Sequence, residues 1–325
     1  MVSNFENFII KMNEMGKEGT PFMFIIDYER NNPIIVSLDD AAKEGIYFSI
    51  DGRRNYAERI FSKKPLRFLK KPVDFSTYKN SFDKVMEQIR LGNTFLVNLT
   101  FATEIKTNWS LRRIFEKSTS PYKLIYRNNF VLFSPECFVR IDDGIISSYP
   151  MKGTIDAAIE DAAQKIMSDE KEKAEHATIV DLIRNDLSMV AQNVRVTKYR
   201  FLQEIVAHDK KLLQVSSEVV GILGSGYQSE LGTIFSKLVP AGSICGAPKE
   251  STLKIIRETE NYPRGYYTGV FGIFDGLKLD SAVMIRFIER NHGRLLFKSG
   301  GGITNSSDPE MEYKELIDKV YVAAH

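Results

Sequence analysis

Two cysteines, one tryptophan and four histidines are few for a chain of 325 residues. Cys137 and Cys245 are too sparse for a disulfide framework or a zinc centre, which need several ligands at short spacing, and a cytoplasmic location is expected. No apolar run approaches the roughly 20 residues that cross a bilayer, and the opening MVSNFENFII lacks the basic-then-apolar layout of a secretory leader. Neither sign of charge dominates: 44 Lys and Arg against 42 Asp and Glu leave a net +2, too little to argue for nucleic-acid binding. Lys63, Lys64, Arg67, Lys70 and Lys71 cluster without regularly spaced aromatics, so the run reads as a solvated face. Internal repeats, low-complexity tracts and Gly/Ser linkers are also missing. What remains has the composition of a soluble globular chain, long enough for one large domain or two small ones.

Hydrophobic patterning outlines the elements. PFMFIIDY (21–28), PIIVSL (33–38) and IYFSI (46–50) read as short strands, with Asn31-Asn32 as a tight turn between the first two. Residues 76–91 read as a helix with Phe82, Val85, Met86 and Ile89 on one face, ended by Gly92-Asn93. TFLVNLTFATEI, KLIYRNNFVLF and CFVRIDDGIISSY read as strands joined by turns. A helix over 168–190 is capped by Ser168 and lined by Ile179, Ile183 and Leu187. Another opens at Asp308-Pro309, a cap followed by a first-turn proline. GYYTGVFGIFDG, SAVMIRFIER and RLLFKSGGGIT read as adjacent antiparallel strands. Blocks of strands interrupted by long helices indicate an α+β protein.

Glu172 and Glu175 stand three apart on one of these helices, and Glu312 and Glu315 repeat the spacing on the last, so each pair shares a helix face. Four carboxylates brought together repel unless a cation or bound protons neutralise them. Mg²⁺ suits such a set, because it takes a few carboxylates and leaves positions for substrate oxygens. Acidic helix faces are also commonly just solvated, and Lys171, Lys173, Lys314 and Lys319 are neighbours of that kind. Spacing alone does not choose between the two.

Five ordered segments carry a resemblance: SPECF (134–138), PMKGT (150–154), EKAEHATIVDLIRNDL (172–187), PAGSICGAPK (240–249) and GGGIT…EYKELIDK (300–319). YYTGVFG (266–272) and MIRF (284–287) fall between them. Together they resemble the chorismate-utilising enzymes: the synthase subunits of anthranilate and aminodeoxychorismate synthase, and the isochorismate and salicylate synthases. The resemblance runs from about Asp74 to the last helix. It implies one catalytic domain over 1–325, with 1–73 a shortened strand-rich N-terminal part and 74–325 the family core. The implied fold is two large, mostly antiparallel sheets packed together with flanking helices. The short N-terminal part leaves little room for a tryptophan-type regulatory pocket.

The resemblance also assigns roles. Glu175 and Glu315 are the implied direct Mg²⁺ ligands, with Glu172 and Glu312 close behind. Lys152 stands where aminodeoxychorismate synthases have lysine and anthranilate synthases typically alanine, which implies a nucleophile that attacks C2 of chorismate and expels the C4 hydroxyl before ammonia enters at C4. A free lysine has a pKa of about 10.4, so burial and the ion must favour its neutral form while the glutamates oppose this. Glu136 is the implied general acid. Tyr267 and Arg286 match positions that hold a substrate carboxylate, and Gly153, Thr154, Gly300, Gly301 and Gly302 match substrate contacts. The glycines are read as a turn offering N–H groups. Taken singly, Lys152 reads as a surface lysine in a Pro-Gly turn, Glu136 as a strand-end glutamate, and Arg286 as a rim residue.

PAGSICGAPK has the wrong spacing for a phosphate-binding loop and reads as a pocket wall. Three positions depart from the family pattern: Cys137 where arginine is common, Gln214 where histidine is usual, and Leu96 where glutamine or a water-activating lysine stands. Neither cysteine sits in a Gly-x-Cys-x-Gly turn, so a separate glutamine amidotransferase subunit is expected to supply ammonia. The implied activity is formation of 4-amino-4-deoxychorismate, on the route to 4-aminobenzoate and folate. Anthranilate synthase component I and a non-catalytic chorismate-binding relative are the alternatives.

Overall fold

The computed structural model describes residues 3–62, 64–207 and 210–322, leaving Lys63 of the basic run outside them. Strands too apolar to expose either face dictate a layered protein. Phe22–Ile26 is buried along its whole length: Phe22, Phe24 and Ile26 point into one core cluster, Met23 and Ile25 into another. A strand covered on both faces reads as an unbroken apolar run.

Two nine-stranded sheets result. The first runs Met151–Asp156, Lys210–Ile222, Ile145–Ser148, Cys137–Asp142, Leu279–Val283, Val270–Phe274, Phe22–Ile26, Ile34–Ser37, with Gln192–Ala207 also paired to Lys210–Ile222. The second runs Gly246–Ala247, Leu96–Thr107, Arg294–Ile303, Phe287–Asn291, Phe130–Ser134, Tyr122–Tyr126, Ile46–Ile50, Arg53–Arg54, with Phe68–Lys71 also on Leu96–Thr107. Their inner faces meet through Met23, Ile25, Phe271 and Met284 against Phe48, Leu124, Leu132 and Phe287. Helices cover the outer faces, and among the described residues none is long and apolar enough to cross a membrane.

Several expectations need correction. A helix not anticipated, Asn4–Lys17, precedes the first expected strand; Ser3 and Glu6 form a reciprocal capping box and Phe8 and Met12 are buried. The helix expected over 168–190 is Glu170–Ser188, but its cap is Asp169, whose carboxylate accepts from Glu172 N, and a separate short helix, Ala162–Ser168, precedes it. Ser168 instead ends that short helix. SAVMIRFIER is not one strand: Leu279–Val283 belongs to the first sheet and Phe287–Asn291 to the second. The chain crosses between them at Met284–Arg286, where Arg286 takes φ +53°. The turn at Asn31-Asn32 is held by Asp27, whose carboxylate accepts both backbone N–H groups at 2.9 Å.

Candidate functional site

A cleft of about 1280 Å³ opens between the Glu170–Ser188 helix and the edge of the second sheet. Its lining includes Glu136, Lys152, Glu175, Asn98, Gly300–Gly302, Ser243, Lys249 and Lys319. All five sequence segments therefore reach it.

Lys152 enters from a backbone irregularity. The register of Met151–Asp156 against Lys210–Ile222 shifts between Met151 and Thr154, and Gly153 takes φ +86° there. Such a bulge re-aims one side chain, and glycine tolerates its backbone at little cost. A Cβ on Gly153 would lie 3.0 Å from Glu172 Oε2, so the missing side chain also leaves room for that carboxylate. The Lys152 ammonium sits 2.7 Å from Glu175 Oε2. Burial pulls its pKa down, but the bond to Glu175 and the charges of Glu175, Glu172 and Glu315 outweigh this and raise it.

Both acidic pairs meet around Lys152 and Lys171, yet not as a formed cage. Among the described residues no three acidic, histidine or cysteine side chains lie close enough to hold an ion as placed. Lysines occupy them instead: Glu175 also has Lys171 Nζ at 3.8 Å, and Glu315 pairs with Lys319 at 2.6 Å. Glu312 accepts from Ser307 Oγ at 2.8 Å. Glu172 Oε2 is buried without a hydrogen bond, and burial raises the pKa of Glu172 and of Glu312. Glu315 goes the other way, because Lys319 overcomes its burial. An all-carboxylate set with an orphaned oxygen fits a hard divalent cation in chemistry; the lysines would have to turn aside.

Glu136 also lines the cleft, accepting from Ser243 Oγ at 2.6 Å. Burial raises its pKa against that bond, the environment a general acid requires. Beside it, burial pushes the Cys137 thiol up to about 12, so it behaves as an inert apolar neighbour.

Not every expected residue arrives. Thr154 is exposed, opposite Gln214 on the edge strand, and does not line the cleft. Tyr267 is buried in the inter-sheet core beside Phe287. Arg286 also lies off the lining; it donates to Lys319 O at 2.9 Å and sits under the Tyr321 ring. Gly300–Gly302 are no turn: they continue the Arg294–Ile303 strand, opposite Thr100, Leu99 and Asn98. They do form a side-chain-free cleft wall, where a Cβ on Gly302 would meet Leu96 at 3.0 Å.

Sequence reasoning passed over three groups here. Asp186 pairs with Lys249 at 2.9 Å and accepts from Gly242 N, joining the helix to the 240–249 segment across the cleft. Buried His176 meets Ser217 Oγ at 2.7 Å directly behind the 150–152 turn. Asn98 lines the floor. All three lie in or beside quoted motifs, but only tertiary contacts separate them from their neighbours.

Residues 23–325 match the family of chorismate binding enzymes. An uncharacterized PabA-like protein of Pasteurella multocida is 50% identical over 316 residues, covering 97% of this chain and 98% of that protein. Aminodeoxychorismate synthase component 1 of Bacillus subtilis is 30% identical over 265 residues, covering 77% of this chain and 55% of that enzyme. Anthranilate synthase component 1 of Cereibacter sphaeroides is 34% identical over 74% of this chain and 50% of that enzyme. The menaquinone-specific isochorismate synthase of Escherichia coli superposes with TM-score 0.74 at 17% identity, covering 98% of this chain and 81% of that one, a likeness of fold. The chain belongs to the chorismate-binding enzyme family.

Proposed function

We propose that this chain aminates chorismate to 4-amino-4-deoxychorismate. The observation that carries the reading is the Lys152 amine, aimed by a glycine bulge into the cleft that a protonatable Glu136 also lines. In the first step the lysine nitrogen bonds to C2, both ring double bonds shift (C1=C2 to C1=C6, C5=C6 to C4=C5), and the C4–O bond breaks. Glu136 gives its proton to the departing hydroxyl, which leaves as water. In the second step ammonia bonds to C4, both double bonds return to their original positions, and the C2–N bond breaks to release the lysine. A separate glutamine amidotransferase is the proposed source of that ammonia, and the cytoplasm the proposed setting.

Glu175 and Glu315 are the proposed holders of Mg²⁺, with Glu172 and Glu312 behind them. The ion, when bound, supplies Lewis-acid withdrawal of charge from the ring carboxylate. Lys152 must give up its bond to Glu175 before it can act as an amine. Arg286 would contact a substrate carboxylate only after the Lys319–Tyr321 segment moves off the guanidinium, and Tyr267, Gly153 and Thr154, which lie off the cleft lining, would reach substrate only after a rearrangement of their own.

Anthranilate formation is the second reading, favoured by the 34% identity to a component 1 of that name; Lys152 counts against it. Incubation with chorismate, Mg²⁺ and an ammonium salt separates them. Aminodeoxychorismate is expected by mass, with loss of at least 10²-fold in rate for Lys152→Ala. Pyruvate with fluorescent anthranilate, or unchanged amination by the variant, would overturn the proposal. Chorismate binding without turnover would leave a binding protein, the role to which Cys137 and Gln214 point.

A further inference from the structure

The second sheet delivers one polar side chain to the cleft floor with nothing to bond to. Leu96 and Asn98 lie on the same face of the Leu96–Thr107 strand, and both line the cleft. Next along that face, Thr100 is committed elsewhere, its hydroxyl bonded to Glu260 Oε1 at 2.8 Å and Tyr262 Oη at 2.6 Å. Across the strand pair Asn98 faces Gly302, and a Cβ on Gly300 would stand 2.9 Å from Asn98 Oδ1. The glycines therefore leave the carboxamide alone over a bare floor. Its oxygen is buried without a hydrogen bond.

The backbone of the same residue is pinned on both sides. Asn98 N donates to Cys245 O at 2.7 Å. Asn98 O accepts at 2.6 Å from Arg264, a fully buried arginine held by Glu260. A buried amide left unsatisfied is destabilising, and a rigid backbone under an unpaired side chain is the arrangement of a preformed binding group. With no bond to break inside, the carboxamide can turn by half a revolution and present either end. Cys245 and Ser243 belong to one short segment, so Asn98 and Glu136 flank the same end of the cleft. Lys152 and the four glutamates crowd the helix side.

We infer that Asn98 binds the incoming nitrogen nucleophile, its carboxamide oxygen accepting an N–H of ammonia beside Glu136; this rests on the amination reading above. Ammonia has three N–H donors and one lone pair, so an acceptor behind it leaves the lone pair facing the ring. A neutral acceptor matters, because a carboxylate there would favour ammonium, which has no lone pair to give.

Steady-state kinetics with chorismate and ammonium chloride varied separately, on wild type, Asn98→Ala and Asn98→Asp, test this. Asn98→Ala is expected to raise KM for ammonia roughly tenfold, the size of one neutral hydrogen bond, with KM for chorismate within about twofold and a thermal midpoint close to wild type, since the backbone bonds remain. Asn98→Asp is expected to restore no ammonia affinity and to shift the optimum of kcat/KM for ammonia to higher pH. A rise in KM for chorismate alone, or no change in either constant, would overturn the inference while leaving amination intact. Wild type that binds chorismate calorimetrically but forms no aminated product would instead defeat the reading on which it rests.

Discussion

At the scale of single residues, two ionisable groups lining one cleft are displaced in the same direction for different reasons. Lys152 is raised because carboxylates outweigh its burial, and Glu136 because burial outweighs its bond to Ser243. A folded carboxyl with a raised pKa contributes stability that is complete below its unfolded value, about 4.3 for glutamate, and is lost as pH rises through the folded value. Glu136→Gln removes that dependence. The variant is expected to gain thermal stability relative to wild type as pH climbs from 4 towards 7, and to lose roughly 10²–10⁴-fold in kcat. Melting curves across pH and initial rates check the two halves independently. The residue types of this pair were legible in SPECF and PMKGT. Their environments were not, because burial and the Ser243 contact come from segments remote in the chain.

At the scale of elements, the bulge in Met151–Asp156 governs where Lys152 points. Gly153→Ala places a Cβ on a backbone with φ +86° and 3.0 Å from Glu172 Oε2. Strain of this kind costs about 1–3 kcal/mol. Lower thermal stability and a larger loss of amination than of chorismate binding are expected, read by calorimetry and product formation; equal activity would mean that the bulge does not aim the lysine. The helix carrying Glu172 and Glu175 was anticipated from its pattern, while its cap at Asp169 and the short helix before it were not. Ser168 and Asp169 are both good caps, and the choice follows from where Ala162–Ser168 packs. The Asn4–Lys17 helix was missed although Ser3 and Glu6 have capping-box spacing, because the strand-like runs after it dominated the local pattern.

At the scale of the whole molecule, a buried ion pair ties the second sheet to the loop before the first. Arg264 grips Glu260 through two nitrogens, donates to Ile244 O and Asn98 O, and lies over the Tyr28 ring. Arg264→Met leaves Glu260 charged and unpaired, with an expected loss of about 3–5 kcal/mol, measurable by urea unfolding; replacing Glu260 as well should recover part of it. Strand content, the antiparallel blocks and the fold class followed from apolar runs and turn residues alone, since burial of a face imposes its own period on a sequence. The ordered motifs likewise marked the helix, turns and strands that line the cleft. Tertiary structure alone decided which sheet each strand joined, that Gly300–Gly302 lie in a strand, that Arg286 is covered by the end of the last helix, and that Lys152 reaches Glu175. Those outcomes depend on contacts outside the reach of a local pattern, from Arg286 against Lys319, 33 positions on, to Gly302 opposite Asn98 on a neighbouring strand, and no local pattern encodes the energy of a contact whose partner is set by the rest of the fold.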